Sequence, residues 1–219
     1  PTYAKEILQP SHGCGMDGVL RAHSGQLTGI LNGIDRREWD PAADPALKAT
    51  YDRDDLSGKA VCRDDLCEWC EIDGEGPVIG MLGRMTAQKG WDLFLDAAPR
   101  MVEAGARLAM IGEGHEDYEE QIAVLSRRFP GRIGHLATFR EDSAHRLIAG
   151  SDMLVVPSRF EPCGLVQMYA LRYGTLPIVH RTGGLADSVT ALTPATLANG
   201  SGTGFLFDRP AASDLAACA

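Results

Sequence analysis

From Val78 onward the chain alternates apolar runs of four or five residues with amphipathic segments, and this rhythm restricts its fold more than any other feature. The apolar runs predict strands at Val78–Leu82, Arg107–Ile111, Arg132–Leu136, Met153–Val156 and Leu176–Val179, with a further one at Gly204–Phe207. The spacing between them predicts helices at Gln88–Ala104, Glu116–Arg128, Asp142–Ala149, Gly164–Tyr173 and Gly184–Leu192. Short strands separated by helices read as βαβ units, whose right-handed crossovers give a parallel sheet with helices on both faces. The expected fold is therefore α/β, a Rossmann-like doubly wound parallel sheet. In such a sheet a ligand binds outside the carboxyl ends of the strands.

The stretch before Val78 is different in kind. Residues 1–76 are rich in Gly, Asp and Pro and carry little periodicity. Within them, Gly25 to Asp35 predicts a short buried strand that turns at Asn32-Gly33, where positive φ costs little. Asp73-Gly74-Glu75-Gly76-Pro77 reads as a linker, so residues 77–219 form the regular domain. A chain of 219 residues has room for one large domain, or one domain and part of another. Its first residue is Pro1 and Ala219 closes no recognisable element, so a piece of a longer protein is expected.

Charge and hydropathy exclude several functions. A net charge of −9 argues against nucleic-acid binding, which needs a basic face to release counterions. No apolar run approaches the roughly 20 residues of a membrane helix. Pro1 to Pro10 carry Lys5 and Glu6 without an apolar centre, so no signal peptide is expected. A phosphorylated small molecule can still bind an acidic chain where a few cations converge.

Four motifs fall at strand ends. Gly83-Arg84-Met85-Thr86-Ala87-Gln88-Lys89-Gly90 brings two cations to a strand-to-helix turn. A guanidinium grips phosphate with a fork of donors and an ammonium acts as a point charge, so the pair suits a diphosphate without a metal. Two solvated surface cations are the blander alternative. Pro157-Ser158-Arg159-Phe160-Glu161-Pro162-Cys163-Gly164-Leu165 sets a carboxylate beside Gly164 and Leu165, whose N–H groups are free to meet an anion. Glu161 would suit sugar hydroxyls, or would merely favour a helix N-terminus. Thr182-Gly183-Gly184 opens the next helix with paired glycines that admit a close neighbour, either a ligand or a tight turn. Ile111-Gly112-Glu113-Gly114 is followed by Glu116 and Asp117 where a dinucleotide's phosphates would sit, so no NAD site is expected.

Taken together, these segments resemble the bacterial glycogen synthase and starch synthase family of glucosyltransferases. The matching stretches are LTGILNGID, EWDP, GMLGRMTAQKGWDL, IGEG, HRLIAGSDMLVVPSRFEPCGLVQMYALRYGTLPIV and RTGGLADSV. The resemblance implies the C-terminal half of a GT-B enzyme that transfers glucose from ADP-glucose to an α-1,4-glucan. Residues 1–76 would then be the end of an N-terminal domain and an interdomain segment. The missing N-terminal domain would carry the family's Lys-x-Gly-Gly-Leu loop and a histidine, and the last C-terminal helices would be missing too. The implied partners are ADP-glucose and glycogen or starch, with no nucleic acid, membrane, metal or cofactor, and a cytoplasmic location.

Carried over by position, Arg84 and Lys89 match the pair that neutralises the diphosphate, and Glu161 matches the acidic residue beside the donor glucose. Cys163, Gly164 and Leu165 match the turn around glucose and phosphate. Phe139 falls at the adenine-stacking aromatic, and Asn32 at an interdomain residue near the donor. Many related enzymes carry a second Glu eight residues after the first; Tyr169 stands there instead, and the synthases likewise lack that Glu. The rivals are another GT-B transferase, with a different nucleotide or acceptor, and a nucleotide- or glucan-binding module without turnover.

Other residues read as structural. Cys62, Cys67 and Cys70 form a suggestive cluster but lack a fourth zinc ligand, so free thiols are expected. His145 and the Trp91–Phe94 pair follow helical spacing and read as core. His180, ending a strand, is a candidate for the cleft.

Overall fold

The structure is a computed structural model describing residues 1–138 and 140–219. In chain order its elements are α1 (Thr2–Glu6), α2 (Asp17–Ala22), α3 (Ser57–Trp69), β1 (Val78–Leu82), α4 (Trp91–Glu103), β2 (Arg107–Ile111), α5 (Glu116–Arg128) and β3 (Ile133–Leu136). There follow α6 (Glu141–Gly150), β4 (Met153–Val156), α7 (Val166–Arg172), β5 (Leu176–His180), α8 (Gly183–Ser188), α9 (Pro194–Ala198), β6 (Phe205–Phe207) and α10 (Ala212–Cys218). The six strands pair in parallel in the order β3-β2-β1-β4-β5-β6. From β1 the chain moves outward through β2 to β3, then returns to build the other half from β4. The switch point thus lies between β1 and β4, where a crevice opens at the strands' carboxyl ends.

Residue alternation along the strands feeds two cores. Val78 points to one face of the sheet, while Ile79 and Met81 point to the other. The first face is covered by α3, α6 and α7, the second by α4, α5 and α10. Trp91 and Phe94 are fully buried on the second face, as their spacing predicts. His145 is structural too. Its Nδ1 lies 2.6 Å from Asp44 Oδ2, which also accepts from the Tyr173 hydroxyl at 2.5 Å. A carboxylate has no hydrogen to donate, so the His145 proton sits on Nδ1. Trp39 stacks between the His145 and Tyr169 rings, with centroids 3.8 and 3.6 Å away. Trp39, Tyr51, Leu66 and Ile72 are buried in this first core. The segment before Val78 therefore packs into the sheet domain.

Several boundaries differ from expectation for local reasons. The strand expected over 25–35 is not formed: a single 3-10 turn at Ser24–Gln26 precedes a run without regular structure, and Ile30 is 84% exposed. Glycines at 25, 29 and 33 weaken an extended segment, and the sheet includes no strand from this stretch. The helix expected from Gln88 is broken at Gly90, whose φ of 75° is left-handed, into a 3-10 turn at Ala87–Lys89 and α4. The helix expected from Gly164 starts at Val166, because Gly164 has a φ of 68° that a right-handed helix cannot include. The helix expected from Gly184 to Leu192 stops at Ser188, where Val189 becomes extended.

Cys62, Cys67 and Cys70 are free and buried. Cys67 Sγ accepts from Arg107 Nη1 at 3.1 Å, and burial pushes the Cys70 thiol up to about 12. Among the described residues no group of three His, Cys, Asp or Glu is placed to hold a metal, and no helix is long and apolar enough to cross a membrane.

Candidate functional site

A cavity of about 470 Å³ opens at the switch point. The end of β1 supplies Leu82, Gly83 and Arg84, the 3-10 turn supplies Lys89, and the end of β4 supplies Val156, Pro157 and Ser158. The loop into α7 supplies Glu161, Cys163, Gly164 and Leu165, and Asn32 reaches in from the segment before the sheet. Seven of the residues singled out by sequence thus meet in one hollow: Asn32, Arg84, Lys89, Glu161, Cys163, Gly164 and Leu165.

Lys89 and Glu161 form the site's ionic centre. Lys89 Nζ lies 2.5 Å from Glu161 Oε2, and the Ser158 hydroxyl donates to the same oxygen at 3.0 Å. Glu161 is 8% exposed, so its charge is compensated almost entirely by these two donors. Arg84 is exposed and has no ionic partner among the described residues. The N–H groups of Gly164 and Leu165 have no acceptor among the described residues, and both border the cavity. The hollow therefore offers a free guanidinium, a shared ammonium, two backbone donors and one buried carboxylate. That set can hold an anion and, beside it, a group that donates hydrogen bonds.

The loop carrying these donors is braced from behind. Gln167 is fully buried and its Nε2 donates to Cys163 O, Gly164 O and Ser188 Oγ at 3.1, 2.9 and 2.9 Å. Gly183 and Gly184 do not line the cavity. A Cβ on Gly183 would stand 1.9 Å from Glu161 O, and one on Gly184 2.0 Å from Cys163 O. The paired glycines let the α8 turn press against the backbone of the Glu161 loop, and Gly184 N–H donates to Glu161 O at 2.9 Å. Thr182 is buried, and its hydroxyl donates to the Glu6 carboxylate at 3.1 Å. Gly183 N–H donates to the same carboxylate at 2.9 Å, so α1 docks on α8. Phe139 lies outside the described residues. His180 is not at the cavity: its Nδ1 meets Ser158 O at 2.9 Å, beneath the loop.

Sequence reasoning missed the residues that act through others. Ser158 lies inside a quoted motif, and its distance of three residues from Glu161 was the available signal. Glu6 left none, since its partners Thr182 and Gly183 are remote in the chain, and Gln167 left none because its nearby partners are main-chain carbonyls and its side-chain partner, Ser188, is 21 residues away. A second hollow, lined by Arg84, Glu113, Glu116 and Asp117, is acidic and would repel phosphate.

A parallel sheet ordered in this way, with cations and glycine-rich turns at its switch point, defines a Rossmann-like domain of the GT-B glycosyltransferase type. The chain belongs to the family described as glycosyl transferases group 1, whose pattern matches residues 70–218. It is similar to a glycogen synthase from Thioalkalivibrio sulfidiphilus, with 49% identity over 219 residues, covering 99% of this chain and 45% of that protein. A glycogen synthase from Yersinia enterocolitica is 47% identical over 213 residues, covering 95% of this chain and 45% of that one. The catalytic domain of starch synthase IV from Arabidopsis thaliana, solved with ADP and acarbose, superposes with a TM-score of 0.91 at 34% identity. That superposition covers 100% of this chain and 45% of the other. The chain thus spans about half the length of the curated relatives it matches.

Proposed function

We propose that this chain is the donor-binding half of an ADP-glucose-dependent glucan synthase, with residues 77–219 as the nucleotide-sugar domain and residues 1–76 leading into it. The observation that carries the reading is the convergence of Arg84, Lys89 and Glu161 on one cavity at the switch point. Similarity to glycogen synthases and to a starch synthase solved with ADP supports it. Asn32, Phe139, Cys163, Gly164 and Leu165 would contact the donor, while Thr182, Gly183 and Gly184 would hold the donor loop from behind.

The reaction is retaining glucosyl transfer. The 4-hydroxyl oxygen of the glucan end bonds to the anomeric carbon as that carbon's bond to the diphosphate oxygen breaks, on the same face. The leaving phosphate oxygen takes the hydroxyl proton. Charge grows on the diphosphate as this bond breaks, so Arg84 and Lys89 lower the barrier by facing it. A double displacement would require a carboxylate nucleophile, its partner about 5 Å away. Among the described residues lining the cavity, Glu161 is the only carboxylate. The front-face route therefore fits the lining better. The acceptor site would be shared with an N-terminal domain, and the enzyme would work in the cytoplasm.

The test has two parts. Calorimetry on this chain should detect weak ADP binding, and a glucan-elongation assay on it should detect none. In the full-length enzyme, Arg84→Ala or Lys89→Ala should lower turnover by about 100-fold or more. Robust primer extension by this chain alone, or near-normal turnover in both variants, would overturn the proposal.

A further inference from the structure

The turn that carries Lys89 is supported internally by two backbone bonds, Lys89 N–H to Thr86 O and Gly90 N–H to Ala87 O, both at 3.1 Å, neither of which orients the Lys89 side chain. It is a single 3-10 turn of three residues, and its own cap is a 3.4 Å contact from Lys89 N–H to Thr86 Oγ1. Such a turn does not fix a side chain by itself. Its position is set instead by the loop after β4, through contacts on the side away from the cavity. Arg159 N–H donates to Gln88 O at 2.9 Å, and Gln88 Nε2 donates to Phe160 O at 2.6 Å. Arg159 Nη1 donates to Ala87 O at 2.5 Å. The same guanidinium forks onto Asp92, with Nη1 to Oδ1 at 2.7 Å and Nη2 to Oδ2 at 2.6 Å. Asp92 lies in the first turn of α4, directly after the 3-10 turn. Gly90 completes the approach: a Cβ there would stand 2.3 Å from Pro157 O.

We propose that Asp92 and Arg159 are a positioning pair for the Lys89 cation, tying the 3-10 turn to the Glu161 loop so that the ammonium is held at the diphosphate subsite. The inference rests on the diphosphate role proposed for Lys89. Neither residue lines the cavity, so both act through the turn. An isolated pair at this exposure, about one third for each side chain, would contribute little to stability. The bidentate fork differs in also gripping Ala87 O, which fixes the turn's orientation. Breaking it should therefore change ligand affinity more than it changes folding.

The experiment compares this chain with Asp92→Asn, Arg159→Lys, Lys89→Ala and the double variant Asp92→Asn/Lys89→Ala. Calorimetry reads ADP affinity, reductive methylation with peptide mass spectrometry reads Lys89 reactivity against exposed Lys48, and thermal melts report folding. Asp92→Asn and Arg159→Lys should each weaken ADP binding about 3- to 10-fold, and Asp92→Asn should have less than about a 2-fold effect once Lys89 is absent. Both should raise the Lys89 methylation rate about 3-fold or more relative to Lys48. Equal losses of affinity from Asp92→Asn with and without Lys89, or an unchanged Lys89 rate, would overturn the pairing. If ADP neither binds nor protects Lys89, the proposed donor role fails; the methylation comparison still decides whether the pair positions the lysine. Arg159→Lys keeps the charge and loses the fork, so it provides the second reading if Asp92→Asn folds poorly.

Discussion

The ammonium of Lys89 sits 2.5 Å from the buried carboxylate of Glu161, so the cation proposed to meet a diphosphate is already engaged. Lysine has three donors, and one bond to Glu161 leaves two for a phosphate. The carboxylate still opposes an incoming anion and competes for the same charge. Glu161→Gln should therefore tighten ADP binding about 3- to 10-fold. In the full-length enzyme, the same change should lower glucosyl transfer by about 100-fold or more if Glu161 is the sugar-facing acceptor proposed above, because that acceptor loses its charge. Calorimetry and an elongation assay check the two halves. A fall in ADP affinity would mean that Glu161 assists nucleotide binding instead of competing with it.

Gly184 permits a backbone contact that no other residue allows. Its virtual Cβ stands 2.0 Å from Cys163 O and 2.4 Å from Cys163 Cα, both main-chain atoms. Gly184→Ala should therefore cost about 3 kcal/mol, through displacement of the loop that carries Glu161 and Cys163. Urea unfolding measures the loss. A change below about 0.5 kcal/mol would show that the α8 turn is free to move away.

Lys59 gives the fold an alkaline signature. Its ammonium donates to Ala149 O at 3.0 Å and to Thr175 Oγ1 at 2.8 Å, and burial pulls its pKa down to about 8. In the unfolded chain the group keeps its proton to about pH 10.4. Between these values the unfolded state binds more protons than the folded one, so stability gained from this group rises with pH. Relative to Lys59→Met, the wild-type chain should gain about 2 kcal/mol between pH 8 and pH 10. Melts of both proteins across that range supply the comparison, and a flat difference would show that the buried ammonium titrates normally.

Most of the sheet was legible because its determinants are local. The bounds of β1, β2, β4 and α5 follow directly from where apolar runs and periodic segments begin and end. Exceptions occur where one backbone angle overrides the pattern. Gly90 and Gly164 adopt left-handed φ, and that choice depends on the neighbouring loops they must approach. The segment 25–35 shows the opposite failure. Its apolar residues look like a strand, but strand formation depends on a partner edge that the sequence does not specify.

The division is sharpest at the cavity. The sequence by itself determined which residues could carry the chemistry: short motifs at strand ends place Arg84, Lys89 and Glu161 near a common crevice, since parallel strands present their carboxyl ends together. Only the tertiary structure decided how those residues are held. Lys89 is paired with Glu161 across a separation of 72 residues, Arg159 grips Asp92 across 67, and Glu6 reaches Gly183 across 177. Periodicity reports which face of an element is buried. It carries no information about which remote donor meets which acceptor, because those contacts form only when the packed sheet and its loops bring distant segments within hydrogen-bond reach.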